Sequence, residues 1–108
     1  MIPDSHTLML PYLQLLADCS ERQFQDMVEA LAYQFKVSAE ERQRMIPSGQ
    51  KVFDYHVGYC RTCFVRYWLV EKTGHANVRI TQKGMNVLAS SPTHIDVGFL
   101  KGVDEMLG

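Results

Sequence analysis

The chain has 108 residues, 46% of them hydrophobic and 21% charged, with a formal net charge of −1. That size holds one core and not two, and the composition is globular rather than disordered or fibrous. No apolar run approaches the roughly 18 residues of a membrane span, no signal-peptide pattern opens the chain, and three cysteines, an odd number, argue against a disulfide framework and for a reducing, cytoplasmic setting.

Asp4 or Ser5 is placed to cap a first helix, whose apolar positions run Leu8, Met9, Tyr12, Leu13, Leu15 and Leu16. Pro11 falls inside that pattern, so it either kinks the helix or stands in the first turn of a restarted one. After the break at Asp18-Cys19-Ser20, Ser20 and Gln23 have capping-box spacing. Phe24, Met27, Val28, Leu31 and Phe35 then form a helical stripe that reads as core. Ser38 and Glu41 repeat the capping spacing for a short helix that must end before Pro47, and Pro47-Ser48-Gly49 is a loop.

A long helix follows, from Phe53 to about Tyr67. On its wheel Phe53, Val57, Cys60, Phe64 and Tyr67 share one sector and face the core. The opposite sector collects Lys51, Tyr55, Gly58, Tyr59, Thr62, Val65 and Arg66, with Arg61 on the flank. Arginine can bond guanine bidentately or pair with phosphate, and tyrosine and threonine can bond phosphate oxygens, so this face suits a nucleic-acid groove. Gly58 costs roughly 1 kcal/mol in a helix interior. Close approach of a partner is one reason for it; packing inside the protein is an equally good one.

Leu69–Lys72 and Asn77–Thr81 read as two strands joined through Thr73-Gly74-His75. Val78 and Ile80 point one way, and Asn77, Arg79 and Thr81 the other. The hairpin carrying Lys72, His75, Asn77 and Arg79 is therefore a wing suited to a phosphate backbone. A further helix runs from Gln82 to about Ala89, and after Ser90-Ser91-Pro92 a terminal helix spans His94 to Leu107. Its stripe of Ile95, Phe99, Val103, Met106 and Leu107 has little obvious core left to fill, so it is expected to pack on the second helix or on another subunit.

The small net charge hides an asymmetry. Residues 1–35 carry five acids against Arg22, net −4; residues 36–86 carry nine Lys/Arg against four acids, net +5; residues 87–108 carry Lys101 against three acids, net −2. The basic excess sits on the long helix and hairpin, where a phosphate backbone would need it. A solvated basic surface is the plainer reading of the same numbers.

Two features invite sharper readings. Cys60-Arg61-Thr62-Cys63 is formally C-x-x-C, with His56 in the same helix. Zinc needs ligands at about 2.0–2.3 Å, whereas seven helical residues span about 10 Å, so His56 and Cys63 cannot easily share an ion. The cysteines read as small buried hydrophobes, with no metal site and no cofactor. No recognisable motif arranges Cys63, His56 and Asp54 for nucleophilic catalysis. Trp68, at the corner between helix and strand, reads as a lid on the core rather than a stacking platform.

In order along residues 3 to 101, a set of short segments resembles the N-terminal winged-helix domain of Mrr-type restriction endonucleases. They are Leu8–Leu13 with Leu16-Ala17-Asp18, Val28–Ala32, Ser38–Arg42, Ile46–Gly49, Val57–Thr62, Arg79-Ile80-Thr81 with Lys83-Gly84, and Ile95-Asp96 with Phe99-Leu100. The resemblance implies a DNA-recognition module that in the family usually precedes a separate nuclease domain, and no such domain is read in these residues. The chain departs from the pattern at Tyr59 (commonly Trp), Cys60 (Ala), His56 (Arg) and Trp68 (the usual glycine), so base preferences do not carry over.

The resulting expectation is a single mainly α domain with a small β-hairpin (α+β), a winged helix-turn-helix over residues 5–90 with an extra helix at 94–107. It binds double-stranded DNA without catalysis, placing Tyr55, Tyr59, Thr62 and Arg66 at the bases. Lys51, Arg61, Lys72, His75, Asn77, Arg79 and Lys83 would contact the backbone. A homodimer through Ile95, Phe99 and Val103 accompanies it. The alternative is a protein-interaction module that regulates or inhibits a defence system without touching DNA.

Overall fold

The structure, a computed structural model, describes residues 2–74 and 76–107, with side chains up to residue 103. In chain order the elements are α1 (Ser5–Leu15), β1 (Arg22–Gln23), α2 (Phe24–Gln34), α3 (Ala39–Arg42), α4 (Val52–Arg66), β2 (Val70–Thr73), β3 (Asn77–Ile80), α5 (Gln82–Ala89) and α6 (Val97–Leu107). This is a mixed α+β fold compatible with a winged helix: a helical bundle carrying a three-stranded antiparallel sheet of order β1-β3-β2. No helix among the described residues is long and apolar enough to cross a membrane.

Asp4 caps α1 by accepting from the Thr7 N–H at 2.8 Å. The helix continues through Pro11. Thr7, whose carbonyl loses its donor to the missing proline N–H, is exposed, so the lost bond does not leave a buried orphan. At Ser20 the sequence expectation fails. The Ser20 hydroxyl and N–H both turn to Asp18 Oδ1, at 2.7 and 3.0 Å. The cap of α2 is Gln23, which makes no side-chain cap bond. Arg22 and Gln23 are drawn out as β1 instead, pairing with Val78 and Asn77 of β3. A two-residue strand has no periodicity to detect, and only the hairpin's free edge creates it. The Ser38–Glu41 box forms as expected, with Glu41 N–H donating to Ser38 Oγ at 3.1 Å and Ser38 N–H to Glu41 Oε1 at 2.9 Å.

The core is built where α1, α2 and α4 meet. Phe53, Val57, Cys60 and Phe64 of α4 are fully buried, as are Leu8, Met9, Tyr12 and Leu13 of α1 and Met27, Val28 and Leu31 of α2. Each of the larger aliphatic or aromatic side chains contributes about 1.5–3 kcal/mol by leaving water. Tyr12 and Phe64 stack tilted with ring centroids 5.6 Å apart. Ser5 ties the start of α1 to α4 twice: its hydroxyl meets His56 Nδ1 at 3.1 Å, and its carbonyl accepts from Cys60 Sγ at 3.2 Å. These contacts fix the rotation of α4 about its axis, and so decide which face is left outward.

The C-terminal region differs from the expectation. Helix α6 begins at Val97, after Asp96 accepts from the Phe99 N–H at 2.8 Å. Ile95 and Leu100 are fully buried, and Phe99 and Val103 are partly buried against the same core cluster. Of the apolar stripe that seemed to lack a core, Ile95 is therefore buried in this chain's own core and Phe99 and Val103 are packed against it. Met106 and Leu107 of that stripe lie beyond the described side chains.

Candidate nucleic-acid interface

The outer face of α4 is one wall of an open groove of about 670 Å³. Lys51, Tyr55, Tyr59, Arg61 and Thr62 line it, five of the eleven residues expected to touch DNA. Helical spacing explains the convergence: Tyr55, Tyr59, Thr62 and Arg66 follow one another at four, three and four residues. Tyr55 and Tyr59 are about two-fifths exposed, which is high for rings on a helix whose reverse face is core. Arg66 continues the stripe beyond the groove and is exposed.

Other parts of the fold close the groove, and the sequence did not point to them. Phe24 enters from the start of α2, and Met45, Gly49 and Gln50 from the loop before α4; α4 itself adds Asp54 and, as its wheel placed it, Gly58. The loop is shaped by the Ile46 N–H donating to Gln50 O at 2.8 Å and by a bridge between Met45 and Lys51. Met45 is 60% exposed, and nothing in its local sequence marks it as a groove wall.

Several expected contacts are already engaged. The Arg61 guanidinium lies 4.7 Å over the Phe24 ring, an arrangement that positions the cation without neutralising it. The Thr62 hydroxyl donates to Gly58 O at 3.0 Å, so as it stands it offers a partner lone pairs rather than a proton. The Tyr59 phenol is held above its ordinary pKa, first by a side-chain hydrogen bond with Cys63, and remains a neutral donor.

The expected hairpin forms, and its register sets Glu71 opposite Arg79 and Lys72 opposite Val78. That register sets Arg79 Nη2 and Nε at 2.7 and 3.1 Å from Glu71 Oε1. The charge read as open to phosphate is thus paired across the strands. Lys72 is exposed, and Arg44, Lys51, Arg66 and Lys72 make no ion pair among the described residues. Asn77 is half-buried within the sheet, Lys83 stands in the first turn of α5 away from the groove, and His75 lies outside the described residues. The wing still adjoins the groove, because the Phe24 N–H donates to Ala76 O at 3.1 Å.

The model of one known family, the Mrr N-terminal domain, matches residues 6–90. The chain belongs to that family. No curated protein and no solved structure matches it. As an Mrr N-terminal domain it is a restriction-system-related module, and two of its departures from the family pattern acquire a structural account. Trp68, in place of the usual glycine, adopts φ +65°. The Leu69 N–H bonds Phe64 O at 2.9 Å and the Trp68 N–H bonds Val65 O at 3.2 Å, a Schellman ending of α4 that favours glycine at that position. An L-residue there costs about 1 kcal/mol or more. Trp68 is also 68% exposed, so it is not the lid on the core that its position suggested.

Cys60, in place of the usual alanine, is fully buried, and burial pushes its thiol pKa up. Cys63 is buried too, so both cysteines pack into the core as small side chains, Cys60 with its thiol bonded to the Ser5 carbonyl.

Proposed function

We propose that this Mrr N-terminal domain is a non-catalytic double-stranded DNA-binding module of a restriction, defence or regulatory system. In this reading α4 enters the major groove, which at about 12 Å admits one helix, and the hairpin lies along the backbone. The observation that carries it is the groove on α4, where Lys51 and Arg61 flank exposed Tyr55 and Tyr59 opposite a buried, core-forming face. Arg66, exposed and without an ion pair among the described residues, extends that face.

Duplex affinity measured across a salt series tests it. Binding should fall log-linearly with salt, and Arg66→Ala should lower the slope by about one. No binding at low salt, or binding unchanged by combined Lys51→Ala and Arg66→Ala, would overturn the proposal. A homodimer built on Ile95, Phe99 and Val103 has lost its motive, since Ile95 is buried and the other two are partly covered. Light scattering reads the oligomeric state directly.

A further inference from the structure

Two residues in the groove have features that packing alone does not require, although Asp54, in the first turn of α4, suits the helix dipole there. Asp54 Oδ1 is shut off from solvent and accepts no hydrogen bond among the described residues. Arg42, which Asp54 affects electrostatically, sends its Nη1 and Nη2 hydrogens to Glu29 at 3.3 and 2.9 Å, and its Nε has no partner among the described residues. An unbonded, desolvated acceptor is costly, and a half-buried carboxylate on a phosphate-binding surface also repels its ligand. The second residue is Gly58, four positions on and therefore on the same helical face. A Cβ there would meet only the Phe24 ring, at 3.8–3.9 Å, an ordinary contact. Packing inside the protein does not require this glycine.

Both residues line the same groove, so a base edge that reaches its floor meets a carboxylate with no hydrogen-bond donor among the described residues, beside the space left by Gly58. We propose that Asp54 is a specificity-determining residue that accepts a hydrogen bond from the exocyclic amino group of a cytosine, and that Gly58 leaves room for that base edge. This rests on the DNA-binding reading above. A carboxylate only accepts, so it selects an edge that only donates. Cytosine shows its N4 amino group in the major groove, whereas adenine sets the N7 acceptor beside its N6 donor and guanine shows acceptors alone. The terminal carboxylate torsion is soft and two-fold, so a small rotation presents either oxygen to the base. The site is at the start of α4, the end of a recognition helix that meets base edges.

The experiment is selection from a randomised duplex pool, followed by affinity measurements on the selected sequence and its single-base variants. The wild-type protein should prefer cytosine at one position, by about tenfold. Asp54→Ala should erase that preference while leaving the salt slope unchanged, and Asp54→Asn should move it toward adenine, which an amide can bond at N6 and N7. Gly58→Ala should weaken the selected sequence more than the random pool, with an equal or higher melting temperature. If Asp54→Ala tightens binding to every sequence alike, the carboxylate acts as a charge only and the proposal falls. Should the alanine variant melt early, Asp54→Asn decides, and an unmoved preference overturns the assignment. Wild-type binding without base preference also overturns it alone, whereas absence of wild-type binding overturns the DNA-binding reading itself.

Discussion

The outer face of α4 and the hairpin carry the same kinds of residue, yet the fold treats their charges differently. On α4, Lys51 and Arg66 make no ion pair among the described residues, and Arg61 rests on the uncharged Phe24 ring. On the hairpin, antiparallel register sets Arg79 against Glu71 and consumes its charge at 2.7 Å. Formal charge counted along a segment therefore overstates what a partner would meet. Strand pairing sets Arg79 directly opposite Glu71, whereas the one acid in the α4 sequence, Asp54, lines the groove with Lys51 and Arg61 without an ion pair to either among the described residues.

The largest effect that would break this comparison comes from Gly84, which holds the hairpin's base to α5. A Cβ there would collide with the Leu69 carbonyl and the Ile80 side chain. Gly84→Ala should cost about 1–3 kcal/mol and lower the melting temperature by about 4–8 °C for each kcal/mol. Calorimetry checks it, and an unchanged transition would mean the junction has room.

The next prediction sharpens the contrast between the two regions. Arg66→Ala should weaken duplex binding several-fold, and Arg79→Ala should weaken it less, because Arg79 is already paired. Glu71→Gln should do the reverse, releasing Arg79 and steepening the salt dependence by up to about one phosphate contact. Equal losses from both arginine substitutions, with no gain from Glu71→Gln, would show that the ion pair does not hold in solution.

The smallest effect is in acid. Asp96, bonded by the Phe99 N–H, and Asp18, bonded by the Ser20 N–H, are both held below the usual carboxylate range. A depressed folded pKa gives stability that is complete above the unfolded value of about 3.9 and lost as pH falls through the folded one. Melting temperature should hold steady from neutral pH to about 4.5 and decline below about 4, with Asp96→Asn lessening the decline. A drop already between pH 7 and 5 would point to other groups.

Most of the helices were legible because each has a repeat the eye can follow. The Phe24–Phe35 stripe, the Phe53–Phe64 sector and the Ser38–Glu41 box all appear where spacing placed them. What escaped has no repeat. Strand β1 is two residues long and exists by pairing with Val78 and Asn77. Trp68 looked like core because tryptophan usually is, but the backbone turns left-handed there and swings it outward. Ile95 looked available to a partner because the sequence does not show how much core the first helices leave open.

The candidate site divides in the same way. Tyr55, Tyr59, Thr62 and Arg66 share a face through helical geometry alone, and a single sequence determines that much. It also determines the family, through motifs spread over most of the chain. Only the tertiary structure decided that Phe24 and Met45 wall that face into a groove, that Glu71 pairs with Arg79, and that Asp54 Oδ1 has no donor among the described residues. Those relations join residues from 8 to more than 30 positions apart. No local propensity encodes such distances. They follow from the docking of α1 and α2 against α4 and from the register of the sheet.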